Sequence, residues 1–245
     1  KQEALKEQMK KYSQYQLFNE KDFMIEKIEN TNLSVEMKNQ YPIDCNALYI
    51  ACCENEEEIV SLLLSRRDID VNLKSTEEQL TPLLGAIKKG NLKIVELLLS
   101  DERCDPSITS LDNINILMYA CQSNNINLLA MILSSNGKTL INSKNANGDT
   151  PLHFACKSNN VTMVNILLDQ AETIEDQQLD LNVKNNDGDT PLHIICQNNN
   201  ISILNILLEK AEASSKLSFD INAKNNKGET ALHLAIESKN IEIVK

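Results

Sequence analysis

A short phrase that returns in register constrains this chain more than any other feature. Thr150-Pro151-Leu152-His153-Phe154-Ala155-Cys156 recurs as Thr190-Pro191-Leu192-His193-Ile194-Ile195-Cys196 and as Thr230-Ala231-Leu232-His233-Leu234-Ala235-Ile236, at a spacing of 40 residues each time. Weaker copies lie upstream, at Asn46-Ala47-Leu48-Tyr49, Thr81-Pro82-Leu83-Leu84 and Asn115-Ile116-Leu117-Met118, and the lead positions 46, 81, 115 and 150 are separated by 35, 34 and 35 residues. Such a period means one supersecondary unit repeated. A unit of this size cannot bury its own apolar face, so neighbouring units must stack to make a core.

Each copy has the same local grammar. Thr caps a helix by accepting an orphan first-turn amide, and Pro fits the next position because its missing N–H has no intrahelical partner there. This predicts a short first helix, from Thr150 to about Ser158 in the fourth copy. Asn159, and Gly90, Asn124 and Asn199 in other copies, are predicted to stop it in the left-handed conformation. A second helix follows, as in Ile94-Val95-Glu96-Leu97-Leu98-Leu99 or Met163-Val164-Asn165-Ile166-Leu167-Leu168. Apolar residues cover most of its circumference, which places it between neighbours. Asn147-Gly148 and Asp187-Gly188 then mark tight turns in which glycine takes positive φ. Gly188→Val is predicted to destabilise the protein by about 1 to 3 kcal/mol for that reason.

Composition admits this architecture and excludes others. There is no Trp among the 245 residues and aromatics make up 4%, so the core rests on aliphatic side chains packed helix on helix. Acidic residues outnumber basic ones 35 to 24, for a net charge of −11, which argues against nucleic-acid or anionic-membrane partners. The longest apolar run, Ala47 to Cys53, is far short of the roughly 20 residues that cross a bilayer. Neither a membrane insertion nor a signal peptide is predicted, since Lys1 to Glu7 contain no apolar stretch. Seven Cys without a Cys-x-x-Cys pair predict free thiols, no zinc site and an intracellular, cytoplasmic setting. About one residue in eight is Asn, a bias that either coding composition or local chemistry would produce.

On these residues the chain resembles the ankyrin-repeat family, whose hallmark is Thr-Pro-Leu-His-x-Ala in a unit of about 33 residues. The resemblance spans roughly residues 40 to 245. It implies an all-α solenoid of stacked helix-loop-helix units joined by β-hairpin-like turns, with about six repeats at 41–75, 76–109, 110–144, 145–184, 185–224 and 225–245. Tyr49, Leu84 and Met118 replace His in the first three copies. The 40-residue units carry insertions near 171–178 and 211–218, expected as a longer helix end or a protruding loop. Residues 1–40 are read as a helical extension and a degenerate capping repeat, and the last copy, stopping inside its second helix, predicts that more chain follows.

Chemistry-bearing residues are mostly absorbed by the repeat. His153, His193 and His233 share one motif position. Stacking sets them about 10 Å apart, too far to ligate one metal. Cys52, Cys121, Cys156 and Cys196 share another position, where a small buried side chain suits close helix contact. The acidic groups around Glu54 to Glu58 and Asp169 to Asp180 do not match a calcium-hand loop and read as solvated helix ends. No phosphate loop or Gly-x-Ser-x-Gly elbow is present, so no catalytic residue, metal or cofactor is predicted. Lys74, Lys144, Lys184 and Lys224 hold one hairpin position and predict a basic stripe, broken by Thr109.

In the resembling family, partner proteins bind across the hairpin tips and the exposed face of the first helices. Carried onto this sequence, the candidate partner-binding residues are Lys144, Asn147, Asp149 and Lys157 in the fourth repeat, and Lys184, Asp187, Asp189 and Gln197 in the fifth. They continue with Lys224, Lys227, Glu229 and Glu237 in the sixth, and with Lys74, Lys88 and Lys89 nearer the N-terminus. The expected function is a non-catalytic protein–protein interaction module. The alternative is the recruitment arm or mechanical spacer of a larger enzyme or channel.

Overall fold

A computed structural model describes residues 47–135, 139–173, 179–213, 217, 219–238 and 241–244. The predicted extension and capping repeat of residues 1–40 lie outside these, as do residues 174–178, 214–216 and 218 of the two insertions. The described residues form twelve helices and no strand. The chain divides into two compact units, Lys1–Leu111 and Asp112–Lys245, at a point beside the boundary between the second and third repeats.

The first unit contains α1 (Ala47–Cys53), α2 (Glu57–Leu64), α3 (Pro82–Lys89) and α4 (Leu92–Leu99). First helices pack on each other, α1 against α3, and second helices likewise, α2 against α4. Leu48, Ile50, Ile59, Leu83, Leu84, Ile87, Ile94 and Leu98 fill the space between them and are wholly buried. Arg103, just beyond α4, ties the two repeats together. Its guanidinium donates to the carbonyls of Leu64 and Arg66, at 2.7 Å each, at the C-terminal end of α2, while Asp101 holds its other face. Carbonyls that the helix itself leaves without donors are thereby satisfied.

The second unit contains α5 (Ile116–Gln122), α6 (Ile126–Ser134), α7 (Pro151–Lys157), α8 (Val161–Thr173), α9 (Pro191–Gln197), α10 (Ile201–Ala213), α11 (Ala231–Glu237) and α12 (Ile241–Val244). α7 packs between α5 and α9, α9 between α7 and α11, and the second helices follow the same order. In both 40-residue repeats the second helix runs for 13 residues, against 8 in α2 and α4 and 9 in α6. The described start of each insertion is therefore additional helix.

The predicted punctuation is present. Gly90 has φ +78°, and Asn124, Asn159 and Asn199 have φ of +57°, +60° and +59°. Asn55, which sequence reasoning did not single out, does the same job after α1 at φ +60°. In the third, fourth and fifth repeats the next Asn caps the second helix: Asn125 accepts from Leu128 N–H, Asn160 from Met163 N–H and Asn200 from Ile203 N–H, at 2.9 to 3.1 Å. The hairpins are single rungs, with Asn145, Asn185 and Asn225 N–H donating to the carbonyls of Asp149, Asp189 and Glu229.

Candidate functional site

The three motif histidines join each hairpin to its helix. Thr150 N–H donates to His153 Nδ1 at 3.1 Å, so the ring proton sits on Nε2, which donates to the Asp189 carbonyl of the next repeat at 3.1 Å. His193 repeats this with Thr190 N–H and the Glu229 carbonyl, at 3.2 and 3.1 Å. His233 accepts from Thr230 N–H at 3.2 Å and is exposed. Burial, opposed by the Asp189 carbonyl and the Asp149 charge, holds the His153 pKa below its ordinary 6.5 and keeps the ring neutral. The motif Thr hydroxyl also stands 2.8 Å from Nδ1 of His153 and of His193, so both nitrogens of these two rings are engaged within the fold.

The cysteines are equally committed. Cys52, Cys121 and Cys156 are wholly buried and Cys196 nearly so, and all six described cysteines are free thiols. Burial pushes the thiols of Cys53 and Cys196 up to about 11 and that of Cys156 to about 12, so none supplies a thiolate near neutrality. Among the described residues, no group of three or more His, Cys, Asp or Glu could hold a metal ion, and no helix is long and apolar enough to cross a membrane.

Asparagine builds the hairpin stack. Asn145 Oδ1 accepts from the N–H groups of Asn147 and Asp149, at 3.0 and 2.8 Å, and Asn185 and Asn225 fold their own hairpins identically. Their amide nitrogens reach back one repeat: Asn185 Nδ2 donates to Asp149 Oδ1 and Asn225 Nδ2 to Asp189 Oδ1, each at 3.0 Å. Main-chain bonds from Asn186 N–H to the Asn147 carbonyl and from Asn226 N–H to the Asp187 carbonyl, both 2.9 Å, complete the rungs. Asn185 and Asn225 thus each fold one hairpin and tie it to the hairpin before.

Beside these hairpins, in the second unit, lies an open groove of about 500 Å³. It gathers six of the sequence-predicted positions, Lys157, Asp187, Asp189, Gln197, Lys227 and Glu229, over a floor that includes Ile194 and Leu234. Asn185, Asn198, Asn225 and Asn226 complete its walls. Sequence reasoning left Ile194 and Leu234 out of the candidate set, although an apolar residue follows the motif His in each of the last three repeats.

The remaining candidates lie elsewhere. Asp149 is 3% exposed and its carboxylate works inside the protein, on Asn185 and on Lys157 Nζ at 2.6 Å. Lys144 Nζ donates to the Lys184 carbonyl at 3.1 Å and Lys184 Nζ to the Lys224 carbonyl at 2.7 Å, so these ammonium groups bridge successive hairpins. Asn147, Lys224 and Glu237 are exposed outside the groove. In the first unit Lys74 is half-buried, Lys89 is exposed, and Lys88 is exposed and pairs with Glu78.

Comparison with known proteins agrees with this geometry. The family profile described as ankyrin repeats matches three times, over residues 18–110, 83–178 and 173–245. The chain is 31% identical over 112 residues to the phosphocholine transferase AnkX of Legionella pneumophila, which is 45% of this chain and 12% of that protein. It is 33% identical over 110 residues to the human SMC5-SMC6 complex localization factor protein 1, covering 44% of this chain and 10% of that protein. The chain therefore spans about a tenth of the length of these relatives. Among solved structures, an ankyrin repeat domain from Acinetobacter baumannii superposes with a TM-score of 0.67 at 21% identity, over 80% of this chain and 93% of that one. With the profile matched from residue 18 to residue 245 and the hairpin-helix-helix unit recurring through the described residues, the chain belongs to the ankyrin-repeat family.

Proposed function

We propose that this protein is a non-catalytic interaction module that presents the groove of its second unit to a partner protein. The observation that carries this reading is the groove itself, where exposed polar side chains converge over a small apolar floor while the His and Cys side chains nearby are occupied in structure. Mixed polar lining of this kind suits a selective protein contact better than an enclosed small-molecule site. The free thiols are in keeping with action inside the cell.

One test is site-specific photo-crosslinking in lysate of the source cell. Benzoylphenylalanine placed at Gln197, exposed in the groove, is expected to trap a protein partner, whereas the same group at Asn205, exposed on the second helix α10, is not. Trapping at Asn205 alone would overturn the assignment of the face. A second reading, the recruitment arm of a larger enzyme, is favoured by one observation: a relative named as a transferase is far longer than the segment it shares with this chain. Turnover by the purified 245-residue protein in transferase assays would contradict the non-catalytic reading.

A further inference from the structure

Equivalent positions in successive repeats carry different charges, and the differences are ordered. One residue before the motif Thr stand Asp149, Asp189 and Glu229 in the fourth, fifth and sixth repeats. Seven residues after that Thr, on the exposed end of the first helix, stand Lys157, Gln197 and Glu237. In the fourth repeat the carboxylate has a cation: Lys157 Nζ sits 2.6 Å from Asp149 Oδ2, while Asn185 Nδ2 holds the other oxygen. The second repeat also has Lys at this helix position, Lys88, and it too pairs with an acid of its own hairpin, Glu78. In the fifth repeat Asn225 Nδ2 again holds the carboxylate, but the helix offers neutral Gln197, and in the sixth it offers a further acid.

The same amide nitrogen of Asn225 also donates to Glu229 Oε2, at 3.1 Å, beside its 3.0 Å bond to Asp189 Oδ1. Two carboxylates are thus drawn to within about 6 Å of each other around one neutral donor, on the wall of the groove. Among the described ion pairs, none joins Lys227, the remaining groove lysine, to either acid. Counting Asp149 beneath Lys157, the acids in and under the groove outnumber its bases.

We infer that this groove seats an arginine side chain of the partner protein on Asp189 and Glu229, in the place that Lys157 fills for Asp149. A planar guanidinium can bond two carboxylates at once, which a single ammonium does less well. Its aliphatic stem would lie along the exposed edges of Ile194 and Leu234, 4% and 8% accessible, which line the groove. The inference rests on the groove being the partner surface and names what the partner brings to it.

The test uses N-acetyl-arginine methylamide as probe and its neutral isostere, N-acetyl-citrulline methylamide, as control, each titrated into the ¹⁵N-labelled 245-residue protein. The expected result is that the arginine probe shifts the amide resonances of Gln197, Asn225 and Glu229 and that citrulline does not. Gln197→Lys, which rebuilds the fourth repeat's internal cation in the fifth, is expected to abolish the response, and Asn205→Lys, which adds the same charge on α10 outside the groove, to keep it. Equal shifts with both probes, or an undiminished response in Gln197→Lys, would overturn the arginine seat. The two readings fail separately, because crosslinking that misses the groove overturns the interaction surface without reference to arginine.

Discussion

At Gly188 the backbone has φ +79°, and an added Cβ would stand 2.5 Å from the Asn226 backbone nitrogen of the next hairpin. At Gly228 φ is +80°, yet nothing lies within 4 Å. The two positions separate conformational strain from steric conflict. Gly228→Ala is expected to destabilise the protein by about 1 kcal/mol through positive φ alone, and Gly188→Ala by about 3 kcal/mol because the stacked hairpin must also move. Equal unfolding midpoints in urea would contradict the hairpin stack. His153 gives a second residue-level prediction. Its folded pKa lies below the unfolded value of 6.5, so the neutral ring's contribution is complete above that value and is lost as pH falls through the folded pKa. The midpoint should therefore fall as the pH drops below about 6.5, and His153→Gln should flatten that fall. The His role was legible because the Thr-to-His spacing recurs. The Asn roles were legible only at the left-handed caps, since a back-reaching amide such as Asn185 Nδ2 depends on which carboxylate the stack brings opposite it.

Between elements, the degenerate third repeat shows what departure from the motif does. Asn115 caps α5 by accepting from Met118 N–H at 3.0 Å, but its Nδ2 is buried with no hydrogen-bond partner. Thr retains the cap and removes the orphan donor, so Asn115→Thr is expected to raise stability by about 1 kcal/mol in chemical denaturation. An unchanged or lower midpoint would show that the amide is satisfied in solution. In the first unit, Arg103→Ala removes charged donors from the end of α2 and is expected to lower the unfolding midpoint. The hydrogen bond from Arg103 holds the Asp101 carboxyl below its ordinary range, so this pair's contribution is present above the unfolded Asp pKa and is lost as acid protonates Asp101. Helix starts and stops could be read from Thr, Pro, Gly and Asn. Whether the insertions begin as helix or loop could not, because Ala171-Glu172-Thr173 and Ala211-Glu212-Ala213 suit either until α8 and α10 pack side by side. Arg103 carried no sequence signal, since its partners are main-chain carbonyls 37 and 39 residues upstream.

For the molecule as a whole, repetition made the fold readable: a motif in phase fixed helix order and predicts a far-UV spectrum dominated by helix. The division at Leu111 and Asp112 was not readable, because the repeat spacing runs through it unchanged. Nine of the fifteen candidate positions lie outside the groove, since position in the motif does not reveal whether a side chain faces a groove, as Asp187 does, or is consumed within the stack, as Asp149 is. The central claim is that a protein partner occupies the groove beside the last hairpins of the second unit. Hydrogen–deuterium exchange of the protein, alone and with the partner trapped at Gln197, tests it most directly. The account predicts added protection over residues 185–198 and 225–234 with α8 and α10 unchanged. Protection confined to α8 and α10 would contradict it.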